Sequence, residues 1–394
     1  MSARPWIHEG IPFHRWLSWR AAWLTIHLTL GMAFWIKVHG RERVPEKGGA
    51  MLLSNHTTFF DFLICFYGVY RPVHAIGTEQ VFRVPVAGFL LRQLNGIPFS
   101  KGKKDRAAVG ALADAYKKGA IIGMFPEGFR SWTGETQPVR PGTGRLVKSL
   151  GCPVIFCRVS TGFMQHPRWA RWPRRVPWVM EYDAPVSFPE DATVDEINAM
   201  LEEGIRMDPN DVSIPRGAWG FWLADGLPRF LWGCPGCGTI DKMSVPRSDR
   251  NTIVCGACSR RWRVDLKCIM HSETDQAETM SVADAQRRML EVCPDDAALS
   301  CPASVVSEVR RGQFKHEPLA TGRATLASDG VEVTDGDRVV WSLPYSEMTA
   351  VLLQVGNKLH VRTQGANYQL DTPGQSALMW HHYLGRRATS AASQ

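Results

Sequence analysis

Short apolar runs alternate with helix-like stretches over the first half of the chain. The runs AMLLS, VHAIG, IIGMF, PVIFCRV and WVMEYDAPV are predicted strands. The stretches TFFDFLICFYGVY, DRAAVGALADAYKKG and TVDEINAMLEEGIRM are predicted helices, and Thr193 and Glu196 form a capping box at the start of the last one. This alternation predicts an α/β fold over residues 41–215, with a largely buried mixed sheet flanked by helices.

The pattern changes after a Trp- and Pro-rich connector, WGFWLADGLPRFLW. Residues 216–270 combine this connector with a cysteine cluster. Residues 271–313 are polar and are predicted as a linker that carries one short helix from Ser281, with loop on both sides. Over residues 314–388, alternating strands separated by DG, GD and GN turns predict an antiparallel meander and a closing helix. Residues 389–394 are expected to form a disordered tail.

Residues 1–40 contain one membrane-like run, AAWLTIHLTLGMAFWI. The run is shorter than the roughly 20 apolar residues that cross a bilayer, and His27 interrupts it. Aromatic and basic residues flank it, namely Trp16, Trp19 and Arg20 before it and Lys37 and His39 after it. This pattern favours a helix that inserts at the membrane interface or re-enters it. A buried core helix is the alternative, and a full span is the least favoured arrangement.

The composition adds a preference for anionic partners. The chain of 394 residues has a formal net charge of +8, 15 tryptophans and 10 cysteines. A basic surface attracts anions, and tryptophan together with arginine favours a membrane interface over nucleic acid, which is not expected as a partner. No cleavable secretion signal is visible, so we expect the chain at the cytoplasmic face of a membrane, with its cysteines as free thiols or metal ligands.

Candidate chemistry begins with His56 and Asp61 in SNHTTFFDF. Histidine suits proton abstraction near neutral pH, and a carboxylate on its other ring nitrogen would fix the tautomer. Positions five apart lie about 140° from each other around a helix, so His56 must lie on the loop after the strand for the two to meet. Short polar side chains in this segment can bond backbone N–H groups of the loop and of the helix start; they belong to Asn55, Thr57 and Thr58. The alternative is that this spacing of a histidine and an aspartate arose by chance, because the chain contains 12 histidines.

Two basic, glycine-containing turns accompany this pair. FPEGFRS carries Glu127, Gly128 and Arg130, and NGIPFSKGKKDR is rich in cations. Glycine permits close approach of the backbone to a ligand, and arginine offers a planar fork for phosphate. Together, the two turns and the pair indicate a hydroxyl group that is activated on an anionic acceptor.

These segments resemble the motifs of the glycerolipid acyltransferases, the lysophosphatidate acyltransferase-like family. NHTTFFD resembles the H-x4-D motif, and FPEGFRS resembles the third motif with Phe129 in place of the usual threonine. GIPFSKG resembles the second motif, although Gly102 stands where an arginine belongs. CPVIFC resembles the fourth motif around Pro153, with Phe156 at a frequent proline position.

The resemblance implies acyl transfer from a thioester, on coenzyme A or acyl carrier protein, to a hydroxyl of 1-acyl-glycerol-3-phosphate or a related lysolipid. It implies His56 as general base and Asp61 as the residue that orients it. The substrate-binding residues that it implies, with the neighbouring cations, are Gly96, Phe99, Lys101, Lys103, Glu127, Gly128, Arg130, Ser131 and Pro153. The alternatives are another acceptor, such as a different lysolipid or an aminolipid, and a nonenzymatic membrane-binding adaptor.

A second basic segment, HPRWARWPRRVPW, interleaves arginine with tryptophan. Beside an acyltransferase core we interpret it as a membrane-facing loop. A solvated loop and a site for single-stranded nucleic acid are the alternatives. The arginines and tryptophans concerned are Arg168, Arg171, Arg174, Arg175, Trp169, Trp172 and Trp178.

The cysteine cluster contains the knuckles CPGC and CGAC. Two C-x2-C pairs predict tetrahedral zinc, and four thiolates leave no open position, so the predicted zinc is structural, with Cys234, Cys237, Cys255 and Cys258 as ligands. Buried free cysteines are the alternative. The segment resembles a zinc ribbon. The C-terminal meander and helix resemble a PH-like domain, for which a lipid or a protein is the expected partner.

Overall fold

The protein is described by a computed structural model that covers residues 11–58, 60–61, 63, 68–83, 85–99, 106–274, 278–311, 313–354 and 358–392. It divides into two compact units. The first comprises Met1–Arg168 and Trp172–Phe221, and the second comprises Trp169–Arg171 and Trp222–Gln394.

A seven-stranded sheet forms the centre of the first unit. Its strands are β1 Lys37–His39, β2 Ala50–Ser54, β3 Val73–Thr78, β4 Ile97–Phe99, β5 Ile121–Met124, β6 Val154–Val159 and β7 Val179–Tyr182. Their spatial order is β1-β7-β6-β2-β5-β3-β4. Only the β6–β7 pair is antiparallel among the pairs that join these strands. The predicted mixed sheet is therefore confirmed.

Strand β2 lies in the middle of this sheet and is buried on both faces. Ala50 and Leu52 pack in one apolar cluster with Trp178, whereas Met51 and Leu53 pack in another on the opposite face. All five residues of β2 are at most 2% exposed. Because a strand alternates its side chains between two faces, a continuous apolar run is what such a position requires. The loop after β2 therefore starts from a rigid part of the unit.

Helices accompany this sheet in chain order. They are α1 Phe13–Ile26, α2 Met32–Phe34, α3 Glu79–Arg83, α4 Pro85–Gln93, α5 Arg106–Lys117, α6 Pro141–Leu150, α7 Gly162–Gln165 and α8 Val194–Gly204. The predicted capping box is present at the start of α8, where Thr193 and Glu196 bond each other's backbone N–H groups. The helix predicted around Asp61 lies partly outside the described residues, and Asp61 and Leu63 are helical.

The N-terminal apolar run is not one continuous α-helix. A π-helical turn, His27–Gly31, separates α1 from α2, and Trp35 ends the segment in the left-handed conformation with φ 47°. Among the described residues, no helix combines the length and apolar character needed to cross a membrane.

Two antiparallel sheets form most of the second unit. The smaller has the order β12-β11-β10-β9-β8 and the larger the order β16-β15-β14-β13-β19-β18-β17. Their strands are β8 Met243–Ser244, β9 Thr252–Cys255, β10 Arg261–Val264, β11 Ile269–Ser272, β12 Thr279–Ser281, β13 Ser300–Arg311, β14 Gln313–Leu326, β15 Gly330–Asp335, β16 Arg338–Pro344, β17 Ala350–Gln354, β18 Lys358–Arg362 and β19 Asn367–Asp371. The helices are α9 Val282–Val292 and α10 Ala377–Ala392. The predicted meander and closing helix are present, and the PH-like assignment stays a prediction.

Two local predictions in this unit are wrong. The segment predicted as loop around α9 carries strands β11 and β12 before the helix, and β13 begins at Ser300. Polar residues can form strands when neighbouring strands supply backbone partners, which local composition does not show. The predicted disordered tail is helical as far as Ala392, because α10 continues through residues that are favourable or tolerated in helices.

Candidate active site

His56 lies on the loop at the carboxyl end of β2, and Asp61 is helical five residues later. Nδ1 of His56 lies 2.9 Å from Oδ2 of Asp61, as the spacing argument requires. The His56 side chain is 22% exposed and the Asp61 side chain is 0% exposed. Nδ1 faces the carboxylate, and in such a pair the other ring nitrogen, Nε2, is the one that takes a proton from a substrate.

The loop itself holds both members of the pair in place. Oδ2 of Asp61 accepts hydrogen bonds from the backbone N–H of Thr57 at 2.6 Å and of Thr58 at 2.8 Å. The His56 ring stacks on Phe125, with ring centroids 4.2 Å apart and an angle of 16° between the planes. These contacts fix the carboxylate and the plane of the imidazole before any substrate binds.

Glu127 supports the His56 backbone from the neighbouring strand. It follows β5, which runs parallel to β2, so both loops leave the same edge of the sheet. Oε1 accepts from the N–H of His56 at 2.6 Å, and Oε2 accepts from the N–H of Gln137 at 2.9 Å. Burial raises the pKa of Glu127 to about 8, while the N–H groups of Gln137 and His56 act in the opposite direction. The two oxygens thus bind the protein's own backbone, and Glu127 positions the loop.

We expect Glu127→Gln to lower the free energy of unfolding by about 1–3 kcal/mol. A carboxyl group offers two acceptor oxygens to the two backbone N–H donors, whether or not it carries a proton, whereas an amide turns an NH2 group against one of them. Chemical denaturation of the variant and the wild type measures the difference. Glu203→Gln is the control, because Glu203 is 67% exposed; an equal loss in both variants would contradict the prediction.

The same glutamate predicts a pH effect. Its folded-state pKa lies above the ordinary value of 4.5, so its contribution to stability is complete below pH 4.5 and is lost as the pH rises through about 8. The glutamine variant should lack this part of the pH dependence of stability.

The rest of the FPEGFRS turn lies beside the same loop. Gly128 has φ 77°, a conformation that favours glycine. The N–H of Ser131 donates to the carbonyl oxygen of His56 at 2.8 Å, and Ser131 is buried, so Ser131 supports the loop. Burial lowers the pKa of Arg130, and the negative charge of Asp61 acts in the opposite direction. Arg130 is therefore the cation of this turn on which the charge of Asp61 acts.

The structure does not bring all the residues implied by the resemblance to this place. Gly96 and Phe99 lie at β4, three strand positions from β2, roughly 14 Å at the usual spacing. A side chain at Gly96 would collide with the Leu91 carbonyl and the Phe82 ring, so this glycine serves packing. Lys101 and Lys103 lie outside the described residues.

Pro153 is placed away from the pair. It precedes β6, and its carbonyl oxygen accepts from the N–H of Met51, near the start of β2. His56 follows the opposite end of β2, so roughly 13 Å of parallel strand separates the two positions. The geometry therefore does not support the implied substrate-binding role of Pro153. The apolar residues after Pro153 form β6, and Pro153 lies before that strand, at the end of the sheet opposite to His56.

The segment interpreted as a membrane-facing loop is only partly exposed. Trp169 and Trp178 are fully buried and Arg174 is 3% exposed, so for these residues the interpretation is wrong. Arg171 and Arg175 are exposed, and Trp172 is 44% exposed. The reason is that interleaved tryptophans supply the large apolar side chains of a core as readily as an interfacial surface.

Asn55 does more than the loop chemistry predicted for it. Its side chain accepts from the N–H of Val159 at 2.8 Å and donates to the Val159 carbonyl oxygen at 3.1 Å, which fastens the loop after β2 to the end of β6. Arg168, interpreted from the sequence as part of a membrane loop, instead contacts the FPEGFRS turn. An asparagine directly after an apolar strand could have indicated the contact of Asn55 with β6. No feature of the local sequence indicated the contact of Arg168 with the FPEGFRS turn.

In the second unit, the four predicted zinc ligands converge. The Sγ atoms of Cys234, Cys237, Cys255 and Cys258 all lie within 4.8 Å of one another. Two of the distances, Cys234–Cys258 and Cys237–Cys255, are 3.8 Å. A tetrahedron with Zn–S bonds of about 2.3 Å has edges of about 3.8 Å, so the geometry fits zinc.

Backbone groups at each knuckle complete this arrangement. The N–H of Gly236 points at Sγ of Cys234 from 3.3 Å, and the N–H of Ala257 points at Sγ of Cys255 from 3.4 Å. Such donors stabilise negative charge on sulfur and orient metal ligands. The backbone groups around the thiols, like the sulfur–sulfur distances, therefore suit a zinc ion.

Comparison with known proteins agrees with the geometry of the first unit. Residues 35–160 match the family model described as Acyltransferase. This stretch, about a third of the chain, is similar to that family. A 1-acyl-sn-glycerol-3-phosphate acyltransferase from Borreliella burgdorferi is 25% identical over 144 residues, which cover 34% of this chain and 57% of that protein. The enzyme of the same name from Pseudomonas aeruginosa is 28% identical over 158 residues, covering 39% and 59%.

A crystal structure of the 1-acyl-sn-glycerophosphate acyltransferase from Thermotoga maritima is also similar to part of this chain. It aligns with a TM-score of 0.42 and 20% identity, over 51% of this chain and 83% of that one. The chain spans 57% and 59% of the length of the two relatives named above.

Proposed function

We propose that this chain transfers an acyl group from an acyl thioester, on coenzyme A or acyl carrier protein, to a hydroxyl of 1-acyl-glycerol-3-phosphate or a related lysolipid. The observation that carries the proposal is the 2.9 Å contact between His56 and the buried Asp61 at the edge of a central strand. The similar proteins named 1-acyl-sn-glycerol-3-phosphate acyltransferase support the choice of acceptor.

The proposed reaction follows from the orientation of the imidazole, with Nδ1 toward Asp61. Nε2 of His56 accepts the proton of the acceptor hydroxyl while that oxygen forms a bond to the thioester carbonyl carbon. The carbon–sulfur bond then breaks, and the proton passes from His56 to the departing thiolate. Asp61 stabilises the imidazolium that exists between the two transfers, and Arg130 supplies positive charge for an anionic acceptor.

A thiol-release assay tests this proposal. Purified protein is supplied with one acyl-CoA and a panel of acceptors: 1-acyl-glycerol-3-phosphate, lysolipids with other headgroups, and an aminolipid. The proposal expects thiol release that depends on 1-acyl-glycerol-3-phosphate. If the protein acylates only another acceptor, the proposed acceptor is wrong and the proposed reaction stands. If it acylates no acceptor, with either acyl-CoA or acyl carrier protein as donor, acyl transfer is refuted.

We also propose that the chain docks peripherally on the cytoplasmic face of a membrane. Large apolar side chains are exposed along one face of α1 and beyond it: Phe13, Leu17, Leu24, Leu28, Met32 and Trp35. Helix α4 contacts α1 and adds exposed Phe89 and Leu90. We call this set the α1–α4 apolar surface. Contiguous exposed apolar residues with a cation such as Arg20 among them suit an interface of acyl chains and anionic headgroups.

The double variant Leu17→Ser, Leu24→Ser should weaken binding to vesicles at least about tenfold. Each exposed leucine that enters the acyl region contributes about 1.5–3 kcal/mol, and about 1.4 kcal/mol corresponds to tenfold. Cosedimentation with vesicles of phosphatidylcholine and phosphatidylglycerol measures the change. The control is Val339→Ser, Val340→Ser, which removes two exposed valines from β16. Equal binding by both double variants would argue against docking through α1.

For the second unit we propose a structural zinc ion held by the four cysteines. The fit of the sulfur–sulfur distances to a tetrahedron supports the ion, and four thiolate ligands assign it a role in folding. The free state of the nine described cysteines is consistent with a reducing compartment, where thiols serve as metal ligands.

A further inference from the structure

Exposed aromatic and basic side chains lie together where three distant segments of the first unit meet. Trp35, Trp219 and Phe221 are 53%, 48% and 49% exposed, and the ring centroids of the last two are 5.9 Å apart. Arg175 and Arg216 are also exposed. We call these five residues the Trp219 patch. Exposed apolar side chains that lie together indicate a surface that contacts another molecule.

A tight turn in the connector forms one side of this patch. The N–H of Ala218 donates to the carbonyl oxygen of Pro215 at 3.1 Å, and Gly217 has φ 82° at the third position of the turn. A turn with a positive φ at this position favours glycine there. The N–H of Trp219 donates to the carbonyl oxygen of Arg175 at 3.0 Å, so the turn is attached to the segment that carries this arginine.

Trp35 joins the patch to the α1–α4 apolar surface, of which it is also a member. The Arg175 guanidinium lies over the Trp35 ring, 4.9 Å from the centroid, and a Cβ at Gly217 would lie 3.2 Å from Cζ3 of that ring. Trp35 has φ 47°, which bulky residues rarely adopt, so these contacts hold it in a strained backbone conformation. Because Trp35 belongs to both surfaces, a partner that covers one of them also reaches the other.

The patch is basic as well as aromatic. Residues 166–178 and 212–224, which carry four of its five members, contain no aspartate or glutamate. Aromatic rings are favoured at the depth of lipid headgroups, and an anionic leaflet attracts nearby arginines. Single-stranded nucleic acid also offers stacking and negative charge, but it does not explain why the patch continues into an apolar helix surface. A bilayer with anionic headgroups matches all three properties.

We propose that the Trp219 patch is a second membrane contact, which binds anionic phospholipid headgroups while the α1–α4 apolar surface enters the acyl region. This inference rests on the proposed docking of the chain on a membrane, and it adds a preference for a class of lipid. It also gives a role to the exposed aromatic residues of the connector, which lie in a segment outside the candidate active site.

Cosedimentation with two kinds of vesicle tests the proposal. One kind is phosphatidylcholine alone, and the other contains phosphatidylglycerol as well. The wild type should bind the anionic vesicles at least about tenfold more tightly, and added salt should reduce this difference. The double variant Trp219→Ser, Phe221→Ser should weaken binding to the anionic vesicles at least about tenfold, because two rings no longer enter the headgroup region.

A second double variant tests the charge of the patch. Arg175→Gln, Arg216→Gln should weaken binding to the anionic vesicles by about 10- to 30-fold, because each arginine near an anionic leaflet is attracted by its surface potential. Binding to phosphatidylcholine alone should change less than about twofold, since that surface carries no net charge. Both side chains are exposed, so this variant decides the outcome if the aromatic variant does not fold.

Matched variants of the same unit control for the loss of any exposed side chains. Val109→Ser, Met200→Ser removes two exposed apolar side chains, and Arg145→Gln, Arg206→Gln removes two exposed arginines; both should bind like the wild type. A thermal melt checks that each variant is folded. The proposal is overturned if a folded variant of the patch binds anionic vesicles like its control, or if the wild type does not distinguish the two vesicles. Loss of binding to a single-stranded oligonucleotide alone would assign the patch to nucleic acid.

Failure of the docking proposal is distinguishable from failure of this inference. If Leu17→Ser, Leu24→Ser binds vesicles like the wild type while the patch variants do not, docking through α1 is wrong and the patch stands. If only the α1 variant binds more weakly, docking through α1 stands and the inference fails. Thiol release in detergent needs no vesicle and should be unchanged in the patch variants, so acyl transfer is measured independently of both.

Discussion

His56→Ala is expected to lower acyl transfer by about 10²- to 10⁴-fold, the range for loss of a general base. The only proton acceptor that the geometry offers to the acceptor hydroxyl among the described residues of this loop is Nε2 of His56, because Asp61 is buried behind Nδ1. Thiol release from acyl-CoA with 1-acyl-glycerol-3-phosphate measures the change in kcat.

Two further variants make this result specific. His39→Ala removes an exposed histidine from β1 and should keep wild-type activity. Asp61→Asn should lower activity and also stability, because Oδ2 accepts from two backbone N–H groups as well as from His56. If His56→Ala retains most of its activity while folded, the imidazole is not the base and the proposed reaction loses its central step.

Removal of zinc is expected to unfold the ribbon formed by β8, β9 and β10. A structural zinc site contributes apparent binding free energies of about 10–16 kcal/mol, which exceeds what a small sheet with little apolar core can supply. Cys237→Ser should therefore abolish bound zinc and cause the loss of near-ultraviolet circular dichroism from Trp262, which is fully buried in this sheet. Metal analysis should find about one zinc per wild-type chain.

A matched variant separates metal binding from the loss of any buried thiol. Cys301→Ala replaces a buried cysteine of β13 that is outside the cluster, and it should keep zinc. A strong chelator should reproduce the spectral change of Cys237→Ser in the wild type. Purified wild-type protein that is folded but free of zinc, and insensitive to the chelator, would show that the four thiols are only packed together.

Several features could be predicted because they depend on neighbours along the chain. The apolar runs predicted strands β2, β3, β5, β6 and β7 of the first unit but not the three-residue strands β1 and β4, and the Thr193–Glu196 spacing predicted the capping box of α8. The five-residue interval between His56 and Asp61 required a loop followed by a helix, which the structure has. Each of these outcomes follows from backbone geometry over a few residues, and that geometry is set by the local sequence.

Other features depended on which distant segments fold together. Trp169 and Trp178 became core, whereas Trp172 stayed exposed, although all three lie in the same basic stretch. Burial depends on what covers a side chain, and local composition does not contain that information.

The chain by itself therefore determined the chemistry that can occur: an imidazole, a carboxylate, and two pairs of cysteines at the right spacing. Tertiary structure alone decided that both oxygens of Glu127 hold backbone N–H groups and that Arg168 meets Arg130. The physical reason is that these contacts join residues 10 to about 70 positions apart, and only the packing of parallel strands and their loops at one sheet edge brings them within hydrogen-bond distance.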